Sequence, residues 1–97
     1  MPAPVARIGD TFEGRCSACD GHRVTGTLET GEFVTIEGRN ICVTGSIGRG
    51  SCGHTCVVQG QSAVWSIEGK PVARVGDPVT GTITGTITSG CDFVETD

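Results

Sequence analysis

The amino-acid sequence predicts a small all-β fold, a cone or prism of short β-hairpins with pseudo-three-fold internal repeats. Three observations support this prediction: a composition that favours strands and turns, a repeated seven-residue motif, and a strictly alternating segment near the end of the chain. Thr, Val and Ile supply 31 of the 97 residues and Gly 16, whereas Leu and Lys occur once each and Tyr is absent. β-Branched residues suit a pleated sheet and glycine suits turns, so we expect strands rather than helices.

A repeated motif organises the chain. Residues 4–10 (PVARIGD) return as residues 71–77 (PVARVGD), with Ile replaced by Val at one position. A weaker copy at residues 41–46 (ICVTGS) keeps the β-branched, small and glycine positions. A near-identity of this length in so short a chain indicates an internal repeat, which decides how every other motif is interpreted.

The similarity extends outward from these motifs into predicted hairpins. Residues 33–38 (FVTIEG) correspond to residues 64–69 (VWSIEG), and residues 90–94 (GCDFV) correspond to residues 30–34 (TGEFV). Each unit therefore contains a strand, a glycine turn and a second strand. We expect strands at 32–37 and 41–44 around a turn at 38–40, and strands at 63–68 and 72–75 around a turn at 69–71.

The connections between these hairpins differ in length and in content. Connections 11–23 and 47–56 contain both His residues and four of the six Cys residues, whereas connection 78–81 is short and contains neither. Residues 80–88 (TGTITGTIT) alternate strictly, which predicts one strand with Ile83 and Ile87 on its buried face. Three units around one axis would bring the long connections together at one end of the molecule.

Charge and hydropathy exclude two classes of partner. The formal net charge is −4, the chain has no basic run, and aromatic residues make up 4% of it, so we expect no nucleic-acid partner. The apolar stretches are too short for a membrane span, and the first residues lack the apolar block of a secretory signal. We expect no stable membrane insertion, synthesis in the cytoplasm, and a single domain over 1–97.

Two clusters of Cys and His predict a metal site. They are residues 16–22 (CSACDGH) and residues 52–56 (CGHTC). Clustered thiols in a reducing compartment favour metal over disulfides, and structural zinc takes four Cys or His ligands, often two from one short loop. The candidate ligands, in order of preference, are His22, His54, Cys52, Cys19, Cys56 and Cys16.

Several alternatives stay open at this stage. Six candidates for four positions allow a Cys₂His₂ or a Cys₃His set, and a two-metal site would need bridging thiolates. Iron takes the same ligand types, so these residues do not by themselves select zinc over iron. A disulfide such as Cys16 with Cys19 is the alternative to metal binding. Cys42 and Cys91 stand at small positions of the repeat, where we expect buried packing.

The charged and aromatic residues of the repeat have structural interpretations. We expect the Arg and Asp residues of the two close copies to cap turns or to pair between units rather than to act in catalysis. Those residues are Arg7, Asp10, Arg74 and Asp77. Trp65 is interpreted as a core or surface aromatic residue, with a partner-facing role as the alternative.

Together, the two PVARxGD copies, the hairpins that precede the later copies and the Cys/His connections resemble a PAAR-repeat protein. The resemblance covers nearly the whole chain and is most specific at residues 5–10 and 72–77. Two features depart from the family pattern. The middle copy lacks the arginine. Family members usually draw one metal ligand from the third connection and are rich in His, whereas here that connection supplies no ligand and thiols outnumber imidazoles.

The resemblance implies a conical, zinc-stabilised tip, with the metal near its apex and its base on the blunt end of a trimeric β-helical spike, one copy per trimer. Such spikes are of the VgrG type in type VI secretion or form the central spike of contractile phage tails, where the tip sharpens the spike for membrane piercing. It further implies a non-enzymatic part made in the bacterial cytoplasm and carried in a virion tail baseplate or secreted with the type VI spike. Larger relatives carry toxin domains as extensions, and this chain is expected to resemble a bare tip without an extension or effector domain.

Two other classes of function compete with the spike tip. A zinc-ribbon-like protein–protein adaptor would have the same metal content and would differ in its partner. A metal-dependent hydrolase would need an open coordination position and a general base, for which Glu13 and Asp20 are the acidic residues in the Cys/His connections.

Overall fold

A computed structural model describes residues 2–97 and confirms the all-β prediction. A single 3₁₀ turn, Ser17–Cys19, is the helical element within this range, and no helix there has the length and apolarity needed to cross a bilayer. The strands are β1 (Ala3–Val5), β2 (Thr11–Cys16), β3 (His22–Leu28), β4 (Thr35–Ile36), β5 (Arg39–Asn40), β6 (Ile47–Gly50), β7 (Thr55–Val58), β8 (Ser66–Ile67), β9 (Lys70–Pro71), β10 (Pro78–Gly81), β11 (Ile83–Ile87) and β12 (Cys91–Thr96).

Six of these strands close into an antiparallel barrel in the order β10, β11, β2, β3, β6, β7. The barrel consists of three hairpins, β2–β3, β6–β7 and β10–β11, and each pairs with the next through its outer strands. Phe12, Leu28, Val79, Ile83 and Ile87 fill the interior and are at most 1% exposed. The barrel is therefore a packed core with a pseudo-three-fold arrangement of hairpins.

The prediction of one strand over residues 80–88 is wrong, because this segment contains a chain reversal. β10 ends at Gly81 and β11 begins at Ile83. Gly81 has a φ of 113°, which glycine adopts readily because it has no Cβ. Ile83 and Ile87 are buried as the alternation predicted. Alternation describes β11 correctly but carries no signal for the reversal that precedes it.

Three two-stranded sheets form a second layer, which we call the hairpin layer: β4–β5, β8–β9 and β1–β12. They surround a second apolar core that contains Val5, Ile41 and Val72, all fully buried. The first two hairpins were predicted, but their strands are shorter and their turns lie earlier than expected. The turn residues are Glu37-Gly38 and Glu68-Gly69, and all four have positive φ. Positive φ at both central residues is typical of type I′ turns, whose twist matches that of the flanking strands.

The three copies of the repeat meet at the centre of the molecule in a closed ring of backbone hydrogen bonds. The Ala6 amide donates to the Ala73 carbonyl at 2.9 Å, the Cys42 amide donates to Ala6 at 3.0 Å, and the Ala73 amide donates to Cys42 at 2.9 Å. All three residues are fully buried. The ring satisfies one backbone donor and one backbone acceptor from each repeat, so these buried peptide groups all have hydrogen-bond partners.

Each repeat then turns towards the barrel in the same way. The side chains of Asp10, Ser46 and Asp77 accept a hydrogen bond from the backbone amide three residues earlier, at 2.7, 3.0 and 2.8 Å. Arg7 and Arg74 pair with the aspartate of their own repeat, and Arg7 also reaches a carboxylate of the neighbouring unit. The charged residues of the repeat thus act within the fold, as expected.

Candidate metal centre

The candidate site lies at the barrel end that faces away from the repeat motifs. Each barrel hairpin begins directly after a repeat, at Thr11, Ile47 and Pro78, so the hairpin tips meet at the opposite end. Two tips contain Cys and His, and the third, at residue 82, contains Thr. The topology therefore gathers the chemistry of two distant segments in one place.

The first tip joins β2 to β3 through a tight turn. β2 ends at Cys16, the 3₁₀ turn ends at Cys19, and Asp20 and Gly21 both adopt left-handed conformations before β3 begins. The Gly21 amide donates to the Cys16 carbonyl at 2.9 Å and closes the turn. This compact geometry aims two thiols from one loop at a common point, as a Cys-x-x-Cys knuckle does in structural zinc sites.

The second tip joins β6 to β7. Gly53, with a φ of 87°, makes the bend between Cys52 and His54. The Gly53 amide donates to the Gly50 carbonyl at 2.9 Å, and the Gly50 amide donates to the His54 carbonyl at 2.8 Å. These bonds fix the loop, so the Cys52 thiol and the His54 ring stand beside each other.

The third tip supplies support rather than a ligand. The Thr82 carbonyl accepts hydrogen bonds from the Ser17 amide at 2.9 Å and from the Ser17 hydroxyl at 3.1 Å. Ser17 follows Cys16 directly, so β10–β11 holds the first loop in position through its backbone. The expectation of two connections with ligands and one without agrees with this arrangement. The third connection was expected at 78–81, however, and these residues form strand β10, so the tip lies at residue 82.

Four ligand atoms converge between the first two tips. The Sγ atoms of Cys16, Cys19 and Cys52 and the imidazole nitrogen of His54 lie within 4.8 Å of one another. His54 Nδ1 lies 3.4 Å from Cys16 Sγ, 3.6 Å from Cys19 Sγ and 3.4 Å from Cys52 Sγ. Each tip contributes two ligand atoms, so the group spans the barrel end.

Hydrogen bonding alone does not account for three sulfurs at nearly equal distances, 3.4–3.6 Å, around one nitrogen. A neutral imidazole nitrogen has one proton or one lone pair, which serves one good hydrogen bond. In a tetrahedral site with zinc–sulfur bonds of about 2.3 Å and zinc–nitrogen bonds of about 2.0–2.1 Å, adjacent sulfur and nitrogen atoms stand roughly 3.5 Å apart. The observed separations match this edge, so the four residues fit a Cys₃His zinc site.

Burial and electrostatics suit a structural ion. Cys16 is fully buried, whereas Cys19 and Cys52 are half-buried and pack against the barrel core. A backbone hydrogen bond from His54 lowers the pKa of Cys52 to about 7, and the hydrogen bond with Cys16 raises the pKa of Cys19 to about 11. Metal ligation requires thiolates, and Cys52 is the thiol of this pair that ionises near neutral pH.

The other two sequence candidates lie outside the group. His22 begins β3 opposite Cys16 in the β2–β3 ladder, and its side chain is exposed rather than directed among the four ligand atoms. Cys56 is 1% exposed within the barrel core, where burial raises the pKa of its thiol. All four residues that converge were among the six candidates. Of the two preferred histidines, His54 lies in the group and His22 lies outside it.

The remaining cysteines are packing residues. All six cysteines are free thiols, so Cys16 and Cys19 are not paired as a disulfide. Cys42 is fully buried in the barrel core and Cys91 is 2% exposed. Burial of both residues agrees with the expectation from their small positions in the repeat.

The two acidic residues near the site do not join the ligand group. Glu13 pairs with Arg23 on the outer surface of the barrel, and Asp20 is an exposed residue of the first tip. The converging atoms within residues 2–97 are therefore three sulfurs and one nitrogen, without a carboxylate beside them.

Comparison with known proteins returns no match: no family model, no curated protein and no solved structure matches this chain.

Proposed function

We propose that this chain is a non-enzymatic spike-tip protein that caps and sharpens a trimeric β-helical spike of a contractile injection machine, in a phage tail baseplate or a type VI secretion system. Zinc held by Cys16, Cys19, Cys52 and His54 would close the pointed end. The observation that carries the proposal is the pseudo-three-fold body with a closed four-ligand group at one end.

The ligand set supports a structural ion over a catalytic one. Catalytic zinc typically keeps three protein ligands and leaves the fourth position to water, whereas structural zinc has four protein ligands. Three sulfurs and one nitrogen would fill all four tetrahedral positions of a bound zinc ion, and the nearby acidic residues stand apart from them. A hydrolase is therefore the weaker proposal.

The repeat supports the partner class. A body with three equivalent hairpins can contact three subunits of a trimer in equivalent ways although it is a single chain. The two PVARxGD motifs that resemble the PAAR family, together with the weaker middle copy, build the central ring and the three equivalent turns. The motif is thus tied to the three-fold body that such a partner would require.

Metal analysis tests the structural half of the proposal. We expect about one zinc ion per chain, and all six thiols free on titration in denaturant. A structural ion couples binding to folding, and a ligand at 1,000-fold excess over its dissociation constant stabilises by about 4 kcal/mol. For a domain of this size, each kcal/mol corresponds to roughly 4–8 °C in Tm, so chelation should lower Tm by about 15–30 °C. Complete metal removal at unchanged Tm would contradict a structural role.

Association tests the partner half. The trimeric spike protein encoded in the same genome should form a complex with one copy of this chain per trimer, measured by light scattering after size exclusion. A stable complex with a monomeric protein and no binding to the spike would instead favour the adaptor.

A further inference from the structure

Three large apolar side chains stand out on the surface of residues 2–97. Phe33 is 73% exposed, Val64 is 76% exposed and Phe93 is 87% exposed. Single exposed apolar residues are normal on soluble proteins and carry no argument. These three residues, however, occupy one and the same position in the three units of the hairpin layer.

Strand register gives this equivalence once the units are aligned on the ring residues Cys42, Ala73 and Ala6, each of which follows Asn40, Pro71 or Pro4 by two positions. Thr35 pairs with Asn40, Ser66 pairs with Pro71, and Glu95 pairs with Pro4, so these pairs correspond across the three sheets. Phe33, Val64 and Phe93 each lie two residues before the first member of such a pair. Their next neighbours, Val34, Trp65 and Val94, pack against the second apolar core, so the apolar trio points away from it.

A second set of equivalent positions is acidic. The same register aligns Ile36, Ile67 and Thr96, and the residue that follows each of them carries a carboxylate. These three residues are Glu37, Glu68 and Asp97. Every unit of the hairpin layer therefore presents an outward apolar residue and, four positions later, an acidic one.

Charge is distributed unevenly between the two ends of the molecule. The hairpin-layer segments 31–40, 62–71 and 90–97 contain six acidic residues and two basic ones, which equals the whole formal charge of −4. The five acidic residues elsewhere are balanced by five arginines. Glu68, Asp92 and Glu95 form no ion pair within residues 2–97. The surface around the apolar trio is thus acidic, and the barrel end is electrically balanced.

We infer that Phe33, Val64 and Phe93 are the anchor residues for a three-fold symmetric protein that presents three apolar pockets flanked by Lys or Arg. This inference rests on the proposed function and names the contact residues and the chemistry of the partner. Apolar anchors in desolvated pockets dominate binding energy, and complementary charges raise the association rate and fix orientation. A single chain with three matched anchors fits a trimer in three equivalent orientations.

The test uses the recombinant trimeric spike protein from the same genome as the probe. The triple variant Phe33→Ser, Val64→Ser, Phe93→Ser is compared with a control that carries Thr25→Ser, Thr27→Ser and Thr84→Ser on the exposed barrel surface. Both variants should keep their metal and their Tm. The apolar variant should bind the spike about 100-fold or more weakly, and the control should bind like the parent chain.

A charge variant provides the second readout. Glu68→Lys with Asp92→Lys should slow association most at low salt, because rim charges act chiefly on the association rate. Failure of the parent chain to bind the spike would overturn the proposed function itself. Binding of the apolar variant at parental affinity would overturn the inference alone. The inference would also be overturned if the parent chain self-associates and the apolar variant does not. That result would identify a second copy of the chain as the occupant.

Discussion

The backbone amide of Cys42 donates a 3.0 Å hydrogen bond to the carbonyl of Ala6, which places a thiol at the central position that alanine occupies in the other two repeats. Cys42 is fully buried, and its Sγ lies 3.4 Å from the Thr30 carbonyl. Burial raises the pKa of the Cys42 thiol to about 12 from an ordinary value of 9.0. The centre of the fold therefore tolerates the thiol as a small neutral group.

Stability should decline at alkaline pH because of this thiol. A group whose pKa is raised in the folded state contributes its full stability below pH 9.0, and loses it progressively as pH rises towards about 12. At pH 10.5 the loss amounts to roughly 2 kcal/mol of the free energy of unfolding. The variant Cys42→Ala, which has the residue of the other two repeats, should remain folded at pH 7. Its free energy of unfolding, measured in urea, should fall less steeply between pH 9 and 11 than that of the parent chain. Parallel pH curves for the two proteins would contradict this prediction.

The two histidines should differ in their effect on metal binding. His54→Asn removes a converging ligand atom, whereas His22→Asn changes an exposed ring outside the group. Because partners outside the ligand set typically cost about 10–100-fold in affinity, loss of a ligand should exceed that range. Competition against a chromophoric chelator measures both affinities, and His22→Asn should match the parent chain. Equal losses would show that the site draws on both loop histidines.

Asp77 offers a test of the repeated turn with a control taken from the chain itself. Its Oδ2 accepts hydrogen bonds from the Arg74 and Gln61 amides, both at 2.8 Å, and the residue is 3% exposed. Asp77→Ala leaves these donors without an acceptor and should cost about 1–3 kcal/mol in urea unfolding. Asp77→Ser should cost less, because Ser46 accepts the equivalent amide in the middle repeat. Equal costs for the two variants would rule out a capping role for the side chain.

The stability of the barrel should be sensitive to substitution of the glycines at which two strands approach closely. Gly85 faces Gly14 in the β2–β11 pair, and a Cβ on Gly85 would lie 2.0 Å from the Glu13 carbonyl oxygen. Gly85→Ala should therefore lower the free energy of unfolding by about 3 kcal/mol, since the backbone must move. Gly38→Asn is the control: its φ is 79°, nothing stands within 4 Å, and asparagine tolerates this conformation. Similar losses at both sites would argue against the close strand approach.

Much of the fold followed from the internal repeat. The two PVARxGD copies predicted equivalent units, and the weak middle copy was placed correctly, since Ser46 caps its turn as Asp10 and Asp77 do. The turn positions were less accurate. Glu37 and Glu68 adopt positive φ next to a glycine, and glutamate at such a position gives no signal in the sequence. Local composition marks the glycine, whereas pairing across the hairpin decides where the turn begins.

The metal ligands were predictable as a set of candidates but not as a selection. Spacing identified both loops, and each contributes two residues. His22 was preferred because it precedes a predicted strand, where the loop histidines of the PAAR family sit. Residue 22 is instead the first residue of β3, and its side chain lies outside the ligand group. Which ligand atoms converge depends on how two barrel hairpins are aligned, and that alignment is set by strand register rather than by spacing within either loop.

The pairing of β1 with β12 bears on the order of folding. Ala3 lies opposite Thr96, so this sheet and the ring of Ala6, Cys42 and Ala73 join segments from far apart in the chain. Closing such long loops costs more chain entropy than forming local hairpins, which assemble in about 1–10 μs. The hairpins β2–β3 and β6–β7 carry all four ligands and need no contact with β12. We therefore expect metal capture to need only these two hairpins, and we expect ring closure, which joins more distant segments, to be the slower step.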